Sequence, residues 1–312
     1  MARLSEHIVY SPAAFADIGP HVFPIEKYRG VYRRLEDEEG LEEYREPEPA
    51  DRELLALVHT DAYLDDLAGG VHTRRTIMSE LPMSEEIVAF FALACGGTTL
   101  AARRALELGW TAHLGGGFHH AFADRAEGFC YLNDLAVAAR ALLEEGTVER
   151  VAVIDVDVHQ GNGTAAIFAG DPDVFTFSIH QRDNYPVKER SDRDIGLVSF
   201  DPSRPGSPYV TDRLYLDALV PAVEEVLDGF EPDLVLYQGG ADPFREDQLG
   251  GFRLTMEGLA ERDRSVFRAC AARGIPWAIT FGGGYAADVA DTVAIHLHTV
   301  RVARETAAGD GS

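Results

Sequence analysis

An α/β fold, a parallel sheet with helices on both faces, is what this sequence predicts, on three observations. Short apolar runs alternate along the chain with amphipathic runs of helical period. The apolar runs are continuous rather than alternating with polar residues, the pattern of strands buried on both sides. Several of them run into polar residues and glycines at their carboxyl ends, the edge of an open α/β sheet where ligands bind.

The elements follow in order. After a polar N-terminal region, a helix is expected from Ser84 to Leu108: Ser84 suits an N-cap, Glu85 and Glu86 suit the first turn, and Gly109 is the stop. Then come a strand over Thr111–Leu114, a helix over Asp134–Glu145 and a strand formed by Val151-Ala152-Val153-Ile154. A short helix near Thr164–Ala169 leads to a strand over Val174–Ile179. The connection from His180 to Pro208 is rich in Pro, Asp and Arg, and loops of that length are usually functional. Helix Asp212–Leu227, strand Asp233–Gln238, helix Thr255–Ala272, strand Trp277–Phe281 and a last helix near Ala286–Arg304 complete the set. There is no internal repeat, low-complexity segment or linker, so one domain over residues 1–308 is expected, with a frayed tail at 309–312.

The 312 residues are 46% hydrophobic and 26% charged, the balance of an ordinary globular protein. Against 52 Asp and Glu stand 28 Lys and Arg, a net charge of −24. That balance argues against direct binding of a nucleic-acid backbone. It would attract cationic substrates, or serve solubility or a salt-rich cytoplasm. No run approaches the roughly 18 uninterrupted apolar residues of a membrane span, and Met1–His7 lacks the apolar core of a signal peptide. Cys95, Cys130 and Cys270 are too few and too scattered for a disulfide framework or a metal knuckle, so a cytoplasmic location is expected.

Asp155-Val156-Asp157-Val158-His159 is the most informative segment. It ends an apolar strand, and alternation along a strand would project Asp155, Asp157 and His159 from one face. Two carboxylates and an imidazole crowded there repel and desolvate one another, which a bound divalent cation of the zinc type relieves. The competing reading is an exposed strand end with solvated acids. Asp242, after Gln238-Gly239-Gly240-Ala241, is the natural third ligand, although an aspartate there also suits a helix cap or turn. Asp157, His159 and Asp242 would leave a coordination position open, as catalytic sites do. His119-His120 follows Gly115-Gly116-Gly117-Phe118, and Tyr285 follows Gly282-Gly283-Gly284, so these side chains can reach open space. Gly161-Asn162-Gly163 is too short for a dinucleotide fingerprint. Glu36–Glu39 reads as a solvated face or loop, and His296 and His298, on different faces of the last helix, as structural or surface residues.

Gly116-Gly117-Phe118-His119-His120-Ala121, Gly128-Phe129-Cys130 with Asn133-Asp134, Asp155 through Gly163, Gly240-Ala241-Asp242-Pro243 and Gly282-Gly283-Gly284-Tyr285 together resemble the histone deacetylase family. The similarity runs in order over nearly the whole chain and is nearest to the class IV and bacterial branch, which includes acetoin-utilisation deacetylases. The resemblance implies the single-domain arginase/deacetylase fold, with an eight-stranded parallel sheet between helical layers. It implies one catalytic zinc, or ferrous iron in its place, on Asp157, His159 and Asp242. It further implies a structural potassium on Asp155, the backbone around Asp157 and His159, and Ser178 with Ile179. Arginases carry a second metal on an aspartate where this chain has Gly161, so a single ion is expected.

By the same resemblance His120 is the general base, His119 with Asp155 an orienting electrostatic partner, and Tyr285 the donor to the oxyanion. Gly128, Phe129, Tyr185 and Gly283 would line a narrow channel. Two departures stand out. Asn162 occupies the place of an aspartate that often pairs with the base, and it supports an imidazolium less. Residues Ala68 to Arg75 show no counterpart of the rim aspartate that grips substrate backbone in class I enzymes. The expected function is a zinc amidohydrolase acting on acyl-lysine; a small acyl-amine such as an acetylpolyamine is the alternative substrate. A catalytically silent protein that binds an acyl or amine ligand is the alternative of another class. Acyl-chain length and oligomeric state leave no mark in the sequence.

Overall fold

The computed structural model describes residues 3–199 and 208–309. Its strands are β1 (Ile8–Val9), β2 (Trp110–His113), β3 (Val151–Asp155), β4 (Val174–Gln181), β5 (Arg193–Leu197), β6 (Leu234–Gln238) and β7 (Trp277–Thr280). They form one sheet in the order β1-β2-β7-β6-β3-β4-β5, and each of these pairings is parallel. Among the described residues the sheet therefore has seven strands, one fewer than the eight the resemblance implied. The helices are α1 (Leu4–His7), α2 (Lys27–Glu39), α3 (Arg52–Leu55), α4 (Asp61–Ala68), α5 (Glu85–Leu108) and α6 (Asp134–Glu144). They continue with α7 (Asn162–Ile167), α8 (Asp212–Phe230), α9 (Met256–Arg273) and α10 (Val289–Ala307).

Alternation along the central strands divides the core in two. Val151, Val153, Leu234, Leu236 and Ala278 face one layer, filled largely by the small residues of α5 and α6 such as Ala101, Ala105, Ala138 and Ala139. Ala152, Ile154, Val235, Tyr237, Trp277 and Ile279 face the other, where α8, α9 and α10 supply Leu219, Phe267 and Val300. Both faces are covered, which is why the strands read as unbroken apolar runs. The expected Ser84 cap is present, accepting from the Ile87 N–H, and Asn133 and Thr255 cap α6 and α9 by accepting from the N–H groups of Ala136 and Gly258. Helix α5 is long and apolar enough to cross a bilayer by length and composition, but 61% of its most apolar window is buried inside the protein.

Several expectations need correction. The N-terminal region is not merely polar: it contributes β1 and helices α1 to α4. The connection after His180 contains β5, an edge strand whose Arg-Asp-Ile-Gly-Leu sequence is partly exposed and carries little strand signal. Residues 200–207 of that connection, and all but Gly309 of the tail at 309–312, lie outside the described residues. Helix α7 begins two residues before the expected Thr164. Of the two readings of Glu36–Glu39, the solvated face holds and the loop does not: the segment is the largely exposed last turn of α2, where Arg301 donates to Glu38 and Glu39 and Arg304 to Glu39. Gly30 lets α2 approach α10 closely, since a Cβ there would meet Val293 Cγ2 at 2.7 Å. His296 is fully buried, stacked on Phe281 at 4.4 Å, while His298 is half-buried.

The turn that bears His119 and His120 is tied down from the side of α4. His59, buried, donates from Nδ1 to the Phe122 carbonyl and accepts at Nε2 from the Asn133 N–H, both at 3.1 Å. Both nitrogens are thus committed to a neutral ring, because a proton on Nε2 would face the Asn133 donor. Burial lowers its pKa to about 4, against the backbone carbonyls that favour its charge. The unfolded chain takes up this proton near pH 6.5 and the native one does not, so stability falls as pH drops from 6.5 towards 4. His59 accounts for roughly 3 kcal/mol of that loss. Urea melts at pH 7.5 and pH 4.5 check it: the stability gap between wild type and His59→Gln should narrow at the lower pH.

Candidate active site

The four strand ends singled out in the sequence are neighbours, because β2, β7, β6 and β3 are consecutive in the sheet. Their loops converge at one carboxyl edge. Strand β3 stops at Asp155, so Asp157 and His159 are brought inward by the turn beyond it and not by strand alternation. That turn is held by its own carboxylates: Asp155 Oδ1 accepts from the Asp157 N–H at 3.1 Å, and Asp157 Oδ1 from the His159 N–H at 3.0 Å.

Asp157, His159 and Asp242 are buried, with one ligand atom from each lying within 4.8 Å of the others. His159 Nδ1 sits 3.1 Å from Asp157 Oδ1 and 3.0 Å from Asp242 Oδ2. The remaining carboxylate oxygens are taken by fixed donors. Asp157 Oδ2 accepts from the Gly283 N–H at 2.8 Å and from Gln238 Nε2 at 3.1 Å, and Asp242 Oδ1 from the Val158 N–H at 2.8 Å. Burial, followed by the charge of Asp157, pushes Asp242 up to about 8. Burial opposes a charge on His159, yet the two carboxylates outweigh it and raise that imidazole to about 10. Protons on Asp242 and His159 thus offset the charge of the group, a divalent cation would take their place, and the three oxygen and nitrogen donors fit one.

The histidine pair lies alongside. His119 Nδ1 donates to Asp155 Oδ2 at 2.6 Å, and its Nε2 is 3.1 Å from His120 Nε2. Burial works against a charged His119, but Asp155 and Asp157 prevail and raise it to about 9. Burial and the neighbouring His119 and His159 hold His120 well below the usual imidazole range. One histidine is thus kept cationic and the other neutral, the separation an acid–base pair requires. His120 Nδ1 faces Asn162 Oδ1 at 2.8 Å. Burial and the charges of Asp157 and Asp242 keep the Tyr285 phenol protonated, and its ring lies 6.4 Å from that of His159.

Above them opens a cavity of about 220 Å³ lined by Glu80, His120, Gly128, Phe129, His159, Asn184, Tyr185, Leu249 and Tyr285. Gly128 and Phe129 take φ of 51° and 63°, and strain of this kind in a non-glycine residue collects at functional sites. A Cβ on Gly128 would meet the His120 ring and the Tyr185 hydroxyl at 2.7 Å, so glycine there keeps the channel open. Gly283 is not among the residues lining that cavity; it shares a smaller cavity with His120, Gly128, Phe129 and Tyr285, and its backbone lies against the two aspartates. Ser178 stands in register with Asp155, with Ile179 buried beyond it.

Several residues of the site escaped the sequence reading. Glu80, five residues past the segment searched for a rim carboxylate, lines the mouth in a left-handed conformation, φ 61°. Glu127 accepts from Asn162 Nδ2 at 2.8 Å. Lys27, fully buried, donates to the Gly282 carbonyl, and burial lowers it to about 8 despite Asp242, Asp157 and Asp247 nearby. Asp247 accepts from the Tyr285 N–H at 2.6 Å. A single buried lysine or a loop glutamate carries no periodic signal; for Glu80, the adjoining Leu81-Pro82 turn was the only cue.

The chain is similar to known proteins over most of its length. The family model described as "Histone deacetylase domain" matches residues 21–300. An uncharacterised protein of Picosynechococcus is 39% identical over 96% of this chain and 98% of its own length. Histone deacetylase 2 of Arabidopsis thaliana is 31% identical over 88% of this chain and 72% of its own. The acetoin utilization protein AcuC of Bacillus subtilis is 34% identical over 77% and 66%. The crystal structure of the HDA15 HD domain superposes with a TM-score of 0.78 over 97% of this chain and 91% of that one, at 21% identity.

The aspartate cradle is testable by itself. A Cβ on Gly283 would drive into Asp242 Oδ2 and stand 2.6 Å from Asp157 Oδ2. Gly283→Ala should lower affinity for Zn²⁺ or Co²⁺ by about 10–100-fold, measured by competition with a chelator. Unaltered affinity would mean that these carboxylates are not the ion's ligands.

Proposed function

The chain belongs to the histone deacetylase family, and on that premise we propose that it is a zinc-dependent amidohydrolase that removes acyl groups from lysine side chains. The observation that carries this is the meeting of Asp157, His159 and Asp242 with His120 and Tyr285 at the floor of a slender, largely apolar channel. A lysine amide has the matching shape, a thin aliphatic stem with the reactive carbonyl at its end.

Asp157, His159 and Asp242 would hold the zinc, which would supply Lewis-acid polarisation of an amide carbonyl and of an attacking water. The chain's own residues account for the rest. Neutral His120, its Nδ1 occupied by Asn162, presents Nε2 as the base that takes the proton of the water and returns it to the leaving amine. His119, held cationic by Asp155, supplies positive charge beside the forming oxyanion. The Tyr285 phenol donates to that oxygen. Phe129 and Tyr185 wall the stem and exclude water. In place of a second metal ligand, Gly161 packs its backbone against the Asp155 carboxylate, which supports a single-ion site.

A structural potassium on Asp155, the backbone at Asp157 and His159, Ser178 and Ile179 is part of this reading, supported by the register of Asp155 with Ser178. So is a reducing, cytoplasmic setting, supported by three cysteines that are all free and buried.

A second substrate reading, a small cationic acyl-amine such as an acetylpolyamine, is favoured by one observation: Glu80 stands at the mouth. A carboxylate there can pair with an ammonium group beyond the stem or accept from a peptide N–H.

His120→Ala and Tyr285→Phe should each lower kcat by at least about 10²-fold while bound zinc, measured by elemental analysis, is retained. Near-normal turnover in either rejects its role. A panel of lysine amides from acetyl to long-chain acyl, run beside acetylpolyamines with zinc content measured on the same sample, separates the substrate readings. Stoichiometric zinc with no turnover on the whole panel would favour a silent binding protein. Glu80→Gln should raise KM for a dicationic substrate by about five-fold or more and leave a neutral one nearly unchanged. Equal effects on both would assign Glu80 to the peptide N–H.

A further inference from the structure

We infer that Glu127 is a positioning residue that sets which end of the Asn162 amide faces His120, and through it which imidazole nitrogen is free to act as the base. The inference rests on the reading of His120 given above and extends it to a residue outside the motif.

A carboxamide has two ends of nearly equal shape and opposite function, one accepting and one donating. With Asn162 Oδ1 facing His120 Nδ1 at 2.8 Å, Nδ1 carries the proton and the lone pair is on Nε2, on the substrate side. If the amide turned over, its NH₂ would face Nδ1, the proton would move to Nε2, and the base would be lost. On its other side His120 Nε2 stands 3.1 Å from Nε2 of the cationic His119, a donor that favours the same Nδ1–H tautomer, so an inverted amide would set the two neighbours of His120 in conflict.

The orientation of the amide is fixed at its other end. Asn162 Nδ2 donates to Glu127 Oε1 at 2.8 Å and points towards the Val187 carbonyl at 3.5 Å. Both neighbours only accept, and the first is a carboxylate, so the bond is charge-assisted. An inverted amide would set its oxygen against two oxygens. Glu127 is in turn held in place: the Tyr185 hydroxyl donates to the same Oε1 at 3.4 Å, Arg125 Nε lies 4.0 Å from Oε2, and the Glu127 N–H donates to the Cys130 carbonyl. Its side chain is only 16% exposed. An aspartate at position 162 would need no such control, because its two oxygens are equivalent. Asparagine needs it.

The test uses that equivalence on the zinc-loaded protein. Glu127→Ala should lower kcat about ten-fold or more with KM changed less than about two-fold. Adding Asn162→Asp to Glu127→Ala should restore kcat most of the way, since neither end can then be wrong. Asn162→Asp alone should lower kcat, because it sets two carboxylates face to face. A loss caused only by damage to the loop would not be rescued by a change at residue 162. Nitrogen-15 spectra of labelled histidine, with His120 assigned by its loss in His120→Gln, give a readout independent of turnover. Wild type should show the Nδ1–H tautomer, Glu127→Ala a mixture, and the double variant the Nδ1–H form again. Wild-type kcat and spectrum in Glu127→Ala, or no recovery in the double variant, overturns the inference. If no acyl-amine is hydrolysed by wild type yet the spectra follow Glu127, the functional reading fails and this one stands; turnover with spectra indifferent to Glu127 gives the reverse.

Discussion

Buried carboxylates at the strand ends are the constraint around which the molecule is arranged. Asp155, Asp157 and Asp242 are all nearly inaccessible to water, and each needs donors in fixed places. Asp157 takes its donors from β6 (Gln238), from the loop after β7 (Gly283) and from its own turn (His159). The side chain therefore joins three central strands at their edge, and a shift in any of them would leave a charge unsatisfied. This explains the glycines. At Gly240 and Gly283 a Cβ would strike the Asp157 or Asp242 carboxylate, so the backbone can bring its N–H groups close only if it carries no side chain.

The same principle acts one layer further out. Asp134 opens α6 and turns back to accept from the Gly117 and Phe118 N–H groups at 3.0 and 2.7 Å and from the Thr98 hydroxyl at 2.5 Å. Its neighbour Asn133 caps α6 and donates to the Ala121 carbonyl and to Thr164 on α7. The turn that presents His119 and His120 is thus gripped on both sides by one Asn-Asp pair, a rigid mount for a loop in a catalytic setting. The stiffness belongs to these supports and not to the glycine-rich turn itself.

Much of this was legible because its signals were local. Continuous apolar runs marked the strands, Ser84 and Thr255 marked helix starts, and polar residues just past Leu114, Ile154, Leu236 and Phe281 marked the edge. The metal-type triad followed from Asp157-Val158-His159 together with Asp242. Elements with no side-chain signature were not legible. Strand β5 is charged and exposed, and β1 spans only Ile8–Val9. Lys27 reaches the site only because α10 and α2 fold together, a contact no spacing rule encodes. Strand alternation predicts Asp157 and His159 on one face, but β3 ends at Asp155 and a turn, which leaves no periodic signal, brings them together. Glu127 meets Asn162, and Glu80 meets the cavity mouth, across long stretches of sequence, and only coordinates reveal such neighbours.

The bond from Lys27 to the Gly282 carbonyl spans 255 positions along the chain, and the ion pairs of Glu38 and Glu39 with Arg301 and Arg304 span about as many. During synthesis the first member of each pair leaves the ribosome long before the second exists. Until β7 and α10 have emerged, the Asp157 carboxylate has no partner from Gly283, and the lysine has no carbonyl to hold it. A nascent chain truncated before the final strand therefore lacks these partners for its buried charges. Assembly of the reactive centre consequently waits on residues as late in the sequence as Gly282 and Arg304.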